Sequence, residues 1–189
     1  MIDPALKRAL GQSMHGVQVV GAAHEGMARA YCSHWVMQVS FEEPILMASI
    51  SPKHDTYPLI VGSGTFAVSL LGADQVAEGQ YFSYPGRRFR YVAAEYLTDW
   101  DGLPIVPNAL AYLRCSVIHR QRRIGALELD HELVFAQITA VRNGRLKDPP
   151  LLYSSRLGWR MAGGTAREKG VSVRDALLAR LGEVPGDED

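Results

Sequence analysis

The chain has 189 residues, 47% of them hydrophobic and 21% charged. That is enough chain for one domain burying roughly 70% of its unfolded surface, and too apolar for a disordered protein. Lys plus Arg and Asp plus Glu number 20 each, so no whole-protein field gathers nucleic acid or an anionic membrane surface. No apolar run approaches the ~20 residues of a membrane helix. Cys32 and Cys115 are the only cysteines, which makes neither a disulfide framework nor a cysteine zinc site. The start Met1-Ile2-Asp3-Pro4 lacks the basic and apolar regions of a signal peptide. The expected setting is therefore the cytoplasm, with no nucleic-acid or membrane partner.

In chain order, Asp3 and Pro4 are suited to open a short helix carrying Ala5, Leu6, Ala9 and Leu10 at helical spacing, with Gly11 to end it. Strand signals follow. Val17 to Val20 is a β-branched run, and His34 to Ser40 partly alternates in polarity. Ile45 to Ile50 is almost wholly apolar, as in a strand buried on both faces. Thr56 to Val61 reads as a short helix stopped by Gly62 or Gly64. Phe66 to Leu71 reads as a strand, and Ala73 to Gly79 as another short helix. Tyr112 to His119 and Leu133 to Val141 are further strands, and Arg142-Asn143-Gly144-Arg145 is a turn. Near the end, Ser172 opens a helix lined by Val173, Leu177, Leu178 and Leu181, followed by an acidic tail. The expected fold is mainly β, a barrel of short strands with a few short peripheral helices. Residues 1–165 are expected to form the domain, and 166–189 a C-terminal helix and acidic tail.

Several chemistries find no pattern in the residues. The cluster Gly62-Ser63-Gly64 lacks both the Walker lysine and the dinucleotide fingerprint. The Gly-x-Ser-x-Gly elbow of α/β-hydrolases is absent. The six histidines show no metal spacing, so no metal site is expected. In Asp130-His131-Glu132, strand alternation puts both carboxylates on one face and the imidazole on the other. Two basic groups stand out, Arg87-Arg88 with Arg90, and Arg114 through Arg123. Each reads as a solvated surface or, since guanidinium forks match phosphate, as a contact for a pyridine nucleotide.

The stretch Tyr31-Cys-Ser-His-Trp35-Val-Met-Gln-Val-Ser40-Phe-Glu-Glu-Pro44 resembles the flavin reductase-like family, whose fold is the FMN-binding split β-barrel. Members often carry a segment like Ala-Ser-Trp-Val-Thr-Gln-Val-Ser-Phe-acid-Pro-Pro. An apolar strand follows it there, as Ile45 to Ile50 does here, then a polar stretch and small helix, as in Ser51 to Ile60. Phe66 to Leu71 resembles the next strand, and Met14 to Val20 the first one. Leu103-Pro104-Ile105 with Ala109 to Cys115, Leu129-Asp130-His131 and Pro150-Leu-Leu-Tyr153 match later motifs in order. The resemblance spans roughly residues 5 to 160.

It implies an oxidoreductase that reduces flavin with NADH or NADPH. The implied cofactor is FMN, with FAD as the alternative. The implied assembly is a homodimer with its site near the subunit interface, and an oxygenase is the implied partner. Tyr31, Cys32, Ser33, His34 and Trp35 would lie against the flavin ring, supplying backbone amides, the Ser33 hydroxyl and aromatic surface. Without the family, Trp35 and Val36 read as core and Tyr31 as covering an edge. Ser51, Lys53 and Thr56 would hold the phosphate, helped by the free amides of a following helix; otherwise Asp55 or Thr56 is an ordinary helix cap and Lys53 a solvated lysine. His131 would border the nicotinamide. The rival reading is a flavin-binding electron carrier or sensor that makes no use of nicotinamide, favoured by the bulk of Tyr31 and His34.

Overall fold

The computed structural model describes residues 2–83 and 96–162. Arg87, Arg88, Arg90, the expected helix from Ser172 and the 165/166 boundary lie outside them. Helix α1 is Pro4–Leu10, and β1 (His15–Gly16), β2 (Gln18–His24), β3 (Met27–Ser33), β4 (Val36–Gln38) and β5 (Ile45–Ile50) follow. Then come α2 (Tyr57–Ser63), β6 (Thr65–Leu70), α3 (Val76–Ser83), β7 (Thr98–Trp100) and β8 (Leu103–Ile105). The last are β9 (Ala111–Ile124), β10 (Leu127–Asn143), β11 (Leu151–Ser154) and β12 (Gly158–Met161).

Seven strands form one antiparallel sheet in the order β3-β2-β6-β9-β10-β5-β4, curled into a half-barrel. The fold is mainly β, as the strand-rich sequence leads one to expect. A three-stranded sheet, β1-β11-β12, and the β7–β8 hairpin pack outside it. Three of the reversals are two-residue turns. Glu25-Gly26 and Asp101-Gly102 hold both residues at positive φ, the type I′ geometry that suits the twist of the flanking strands. Gly125, also at positive φ, begins the loop between β9 and β10.

Both faces of the sheet are covered. Inside the curl, Val20, Ala22, Tyr31, Leu46, Ala48, Ile50, Phe66, Val68 and Val134 form one core with α2. On the opposite face, Val17, Val19, Ala67, Leu71 and Phe82 form a second core under α3, β8 and β11. Alternation along β2 feeds both, Val20 and Ala22 inward and Val19 outward.

Several elements depart from their sequence readings. Helix α1 is capped as expected, Asp3 Oδ1 accepting from the amides of Ala5 (2.6 Å) and Leu6 (3.2 Å), but no residue of it is buried. Strand β5 is fully buried on one face only, through Leu46, Ala48 and Ile50. The expected strand from His34 shrinks to β4, because the Ser33 hydroxyl accepts the Trp35 amide (3.1 Å) and bends the chain at His34. Gly64, in the left-handed region, ends α2. Helix α3 starts later than expected, since the buried Gln75 side chain first accepts the Gly72 amide (3.1 Å) and donates to the Pro107 carbonyl (2.9 Å). Asn143-Gly144 makes no hairpin. Gly144 instead donates to the Leu110 carbonyl at 3.0 Å, an approach closed to any residue with a Cβ.

Candidate functional site

The ends of β3, β5 and β10 converge on one mouth of the half-barrel. The Ser49 amide donates to the Trp35 carbonyl (2.9 Å), tying the chain after β3 to β5. Ile50, the last residue of β5, pairs with Glu132 of β10. Trp35, half exposed, meets the His131 ring edge-on, with centroids 5.1 Å apart. Tyr31 is buried, and its ring stacks on His54 at 4.6 Å. The Ser51–Thr56 segment closes this end: its turn is held by the His54 amide donating to the Ser51 carbonyl (3.0 Å) and the Lys53 amide to the Ser51 hydroxyl (3.4 Å). Lys53 is exposed, whereas Thr56 is buried, its hydroxyl making no cap hydrogen bond.

The Tyr31–Trp35 stretch does not act as one surface. Alternation sends Tyr31 and Ser33 inward, the Tyr31 ring into the first core, and packs Cys32 against the second. His34 stacks on Tyr153 (4.3 Å) and meets Trp159 edge-on (5.9 Å), also on the outer side. The structure thus gathers Tyr31, Ser33, Trp35, Ser51, Lys53 and His131 at the mouth and directs Cys32 and His34 away. His54 completes the mouth, and in the sequence a lone histidine in a polar turn carries no signal of that.

Asp130 and Glu132, expected on one face, differ sharply in exposure, and the pairing of β10 with β9 shifts register between Glu128 and Leu133 beside them. The Asp130 side chain is 95% exposed and binds His131 Nδ1 at 3.0 Å, a contact that holds its carboxyl below the usual range. The Glu132 side chain is only 12% exposed and faces Arg120 Nη1 at 3.6 Å. Burial, and then the Glu132 carboxylate, pushes the Tyr57 phenol up. The β9 arginines are largely engaged within the fold: Arg114 meets Asp101 at 4.0 Å and Arg122 meets Glu128 at 3.6 Å.

Burial dominates the titration of the other groups. The Tyr31 phenol is driven well above its ordinary range, an effect the Ser33 hydroxyl offsets only in part. The Cys32 thiol is pushed up to about 11, with Ser83 in partial opposition, and Cys115 to about 12. Both thiols are protonated at neutral pH and poor nucleophiles. His34 is lowered to about 4 by burial and then by His15, and its Nδ1 is buried without a hydrogen-bond partner. Since an unfolded histidine binds its proton near 6.5, the unfolded chain takes up more protons than the folded one between there and about 4. Stability should therefore fall as pH drops through that window, by about 1–2 kcal/mol after allowance for partial exposure. Thermal melts of His34→Phe should show a smaller drop between pH 7 and pH 5 than the unaltered protein; equal drops would mean that His34 is not the group responsible.

Residues 10–157 match the family described as flavin reductase like domain. The chain belongs to this family. It is 33% identical, over 152 residues, to the reductase component of 4-hydroxyphenylacetate 3-monooxygenase from Thermus thermophilus, a match covering 80% of this chain and 92% of that protein. Identity to the NADH:riboflavin 5'-phosphate oxidoreductase of Streptomyces pristinaespiralis is 30% over 142 residues, 74% of this chain and 76% of that one. In fold it is similar to the NADH:FAD oxidoreductase of Streptomyces globisporus, solved with NAD and FAD fragments. There the TM-score is 0.74 at 20% identity, covering 88% of this chain and 99% of that chain. The protein is an oxidoreductase of the flavin reductase type. The bulk of Tyr31 and His34, which favoured a carrier without nicotinamide chemistry, is taken up by packing on His54 and Tyr153. Among the described residues no group of three or more His, Cys, Asp or Glu is arranged to hold a metal, and no described helix is long and apolar enough to cross a membrane.

Proposed function

We propose that the protein binds FMN at the mouth formed by β3, β5 and β10 and reduces it with NADH or NADPH. The observation that carries this reading is the convergence there of the three kinds of contact a flavin needs. Trp35 offers an exposed aromatic wall, Ser33 a hydroxyl at its foot, and Ser51 and Lys53 offer a hydroxyl and a cation for a phosphate. Thr56 contributes through its backbone, since its side chain is buried. Cys32 and His34 support the site from behind β3. Held by these residues, a flavin ring would supply the two-electron acceptor for hydride transfer from a reduced nicotinamide. His131, held by Asp130 and set against Trp35, borders the nicotinamide side and orients rather than abstracts. FAD would use the same ring contacts.

The reading extends to assembly. Trp35, Met37, Val39 and Phe41 alternate along the edge strand β4 and beyond it, each 45% exposed or more. Such a stripe on a sheet edge invites a partner, and we infer a second copy of this chain, which would bring the interface beside the flavin. Two relatives' names, as reductase components of monooxygenases, support an oxygenase as electron acceptor. Two protonated thiols and a nicotinamide co-substrate suit the cytoplasm. Titrating FMN into the protein, with tryptophan fluorescence and light scattering as readouts, should show binding by a species of twice the chain mass. A monomer that binds no flavin even at high micromolar concentration contradicts the reading.

A further inference from the structure

His34 turns the chain from β3 into β4, and its ring is clamped from the outer side of the sheet. It lies flat on Tyr153 of β11, with centroids 4.3 Å and planes 11° apart, and meets Trp159 of β12 edge-on at 5.9 Å. Tyr153 and Trp159 are register partners across the β11–β12 pair, their ring centroids 5.2 Å apart, and both pack against the second core. The buried Nδ1 of His34 has no hydrogen-bond partner among the described residues, so stacking rather than a polar contact holds this side of the ring. Trp159 is itself backed by α3: a Cβ on buried Gly79 would come within 2.8 Å of its indole ring. Trp159 lies past residue 157, where the family match ends.

We propose that Trp159 is a positioning residue for Trp35: by clamping the His34 ring it sets where the half-exposed indole of Trp35 stands at the mouth. His34 and Trp35 lie between β3 and β4, where no strand pairing fixes their backbone angles. The bend is tied on its inner side, the Trp35 amide donating to the Ser33 hydroxyl (3.1 Å) and the Trp35 carbonyl accepting from Ser49 (2.9 Å). Those bonds hold the peptide groups on either side of Trp35; the clamp on the preceding ring holds the outer side of the same bend. Between them the Trp35 indole is presented edge to face with His131, centroids 5.1 Å apart. Without the Trp159 ring, His34 relaxes into the space it leaves, and the bend carries Trp35 with it. What Trp35 offers a flavin rests on the reading above; its placement by Trp159 does not.

The test follows the indole N–H signals of the flavin-free protein by NMR. The chain has three tryptophans, and Trp100, on the β7–β8 hairpin against Tyr112, is the internal control for folding. Trp159→Ala should shift the Trp35 signal and abolish cross-relaxation between its ring and His131, with Trp100 unmoved; Trp159→Phe should restore both. Gly79→Ala presses on the same ring without removing it and adds a helix former to α3, so it too should shift Trp35. An unmoved Trp35 signal in Trp159→Ala or, should that variant fail to fold, in Gly79→Ala, overturns the proposal, since the inner hydrogen bonds would then suffice to place the indole. With flavin added, FMN affinity should weaken about three- to tenfold in Trp159→Ala and recover in Trp159→Phe. A protein that bound no FMN at all would sink the functional reading and leave the NMR result standing.

Discussion

Gly21→Ala is expected to destabilise the protein by about 3 kcal/mol, through backbone overlap rather than lost contacts. Gly21 sits mid-strand in β2, where β8 crosses the second face of the sheet, and a Cβ there would fall on the carbonyl oxygen of Pro104. Neither group can yield. β2 is locked between β3 and β6, with Gly21 paired to Ala30 and to Ala67, while Pro104 is the buried centre of β8. For a chain of this size, such a loss lowers the melting temperature by about 10 °C. Gly62→Ala is the control. Its added methyl would also meet a neighbour, but that neighbour is the His24 side chain, 34% exposed and free to swing outward. Alanine also favours the α2 helix by up to ~1 kcal/mol, so the melting temperature should move by only a few degrees in either direction. A Gly21→Ala loss no larger than the few degrees of the control would show that the β8 crossing is not rigid.

Lys53→Ala is expected to weaken FMN binding about tenfold and leave riboflavin binding unchanged. Lys53 is exposed in the Ser51–Thr56 turn, next to the Ser51 hydroxyl. A charge-assisted hydrogen bond contributes about 1.5–3 kcal/mol; exposure favours the lower end, and 1.4 kcal/mol is roughly a factor of ten in affinity. Riboflavin shares the ring and ribityl chain and lacks the phosphate, so it isolates the contact from any general damage to the mouth. Calorimetric titration of both ligands into both proteins reads the contrast. Equal weakening, or none, would remove Lys53 from the phosphate site and shift attention to Arg87 and Arg88.

The parts of the fold that local chemistry dictates are legible in the sequence. Asp3-Pro4, the apolar run Ile45–Ile50 and Gly64 each correspond to a cap, a strand or a helix end in the structure. Strand β3 is poorly written, because Met27-Ala-Arg-Ala30 has no apolar alternation; the turn at Glu25-Gly26 was its one available signal. Sheet order is not local information at all: β10 reaches back to β5 and β9 to β6. The same holds for the site. Period-two alternation already separates Tyr31 and Ser33 from Cys32 and His34, and reading them as one continuous surface overlooked it. That His54 lies on Tyr31 depends on a turn between β5 and α2 meeting a distant strand. The register shift before Leu133 has no signature in the residues that make it.

Whether this mouth lets a nicotinamide reduce a bound flavin is read by anaerobic rapid mixing of the FMN-loaded protein with NADH and with NADPH while the visible flavin absorbance is followed. At least one nucleotide is expected to bleach the flavin band far faster than it bleaches free FMN under the same conditions. Bleaching no faster than free FMN with both nucleotides, by a protein shown to hold its flavin and reducible by dithionite, would contradict it.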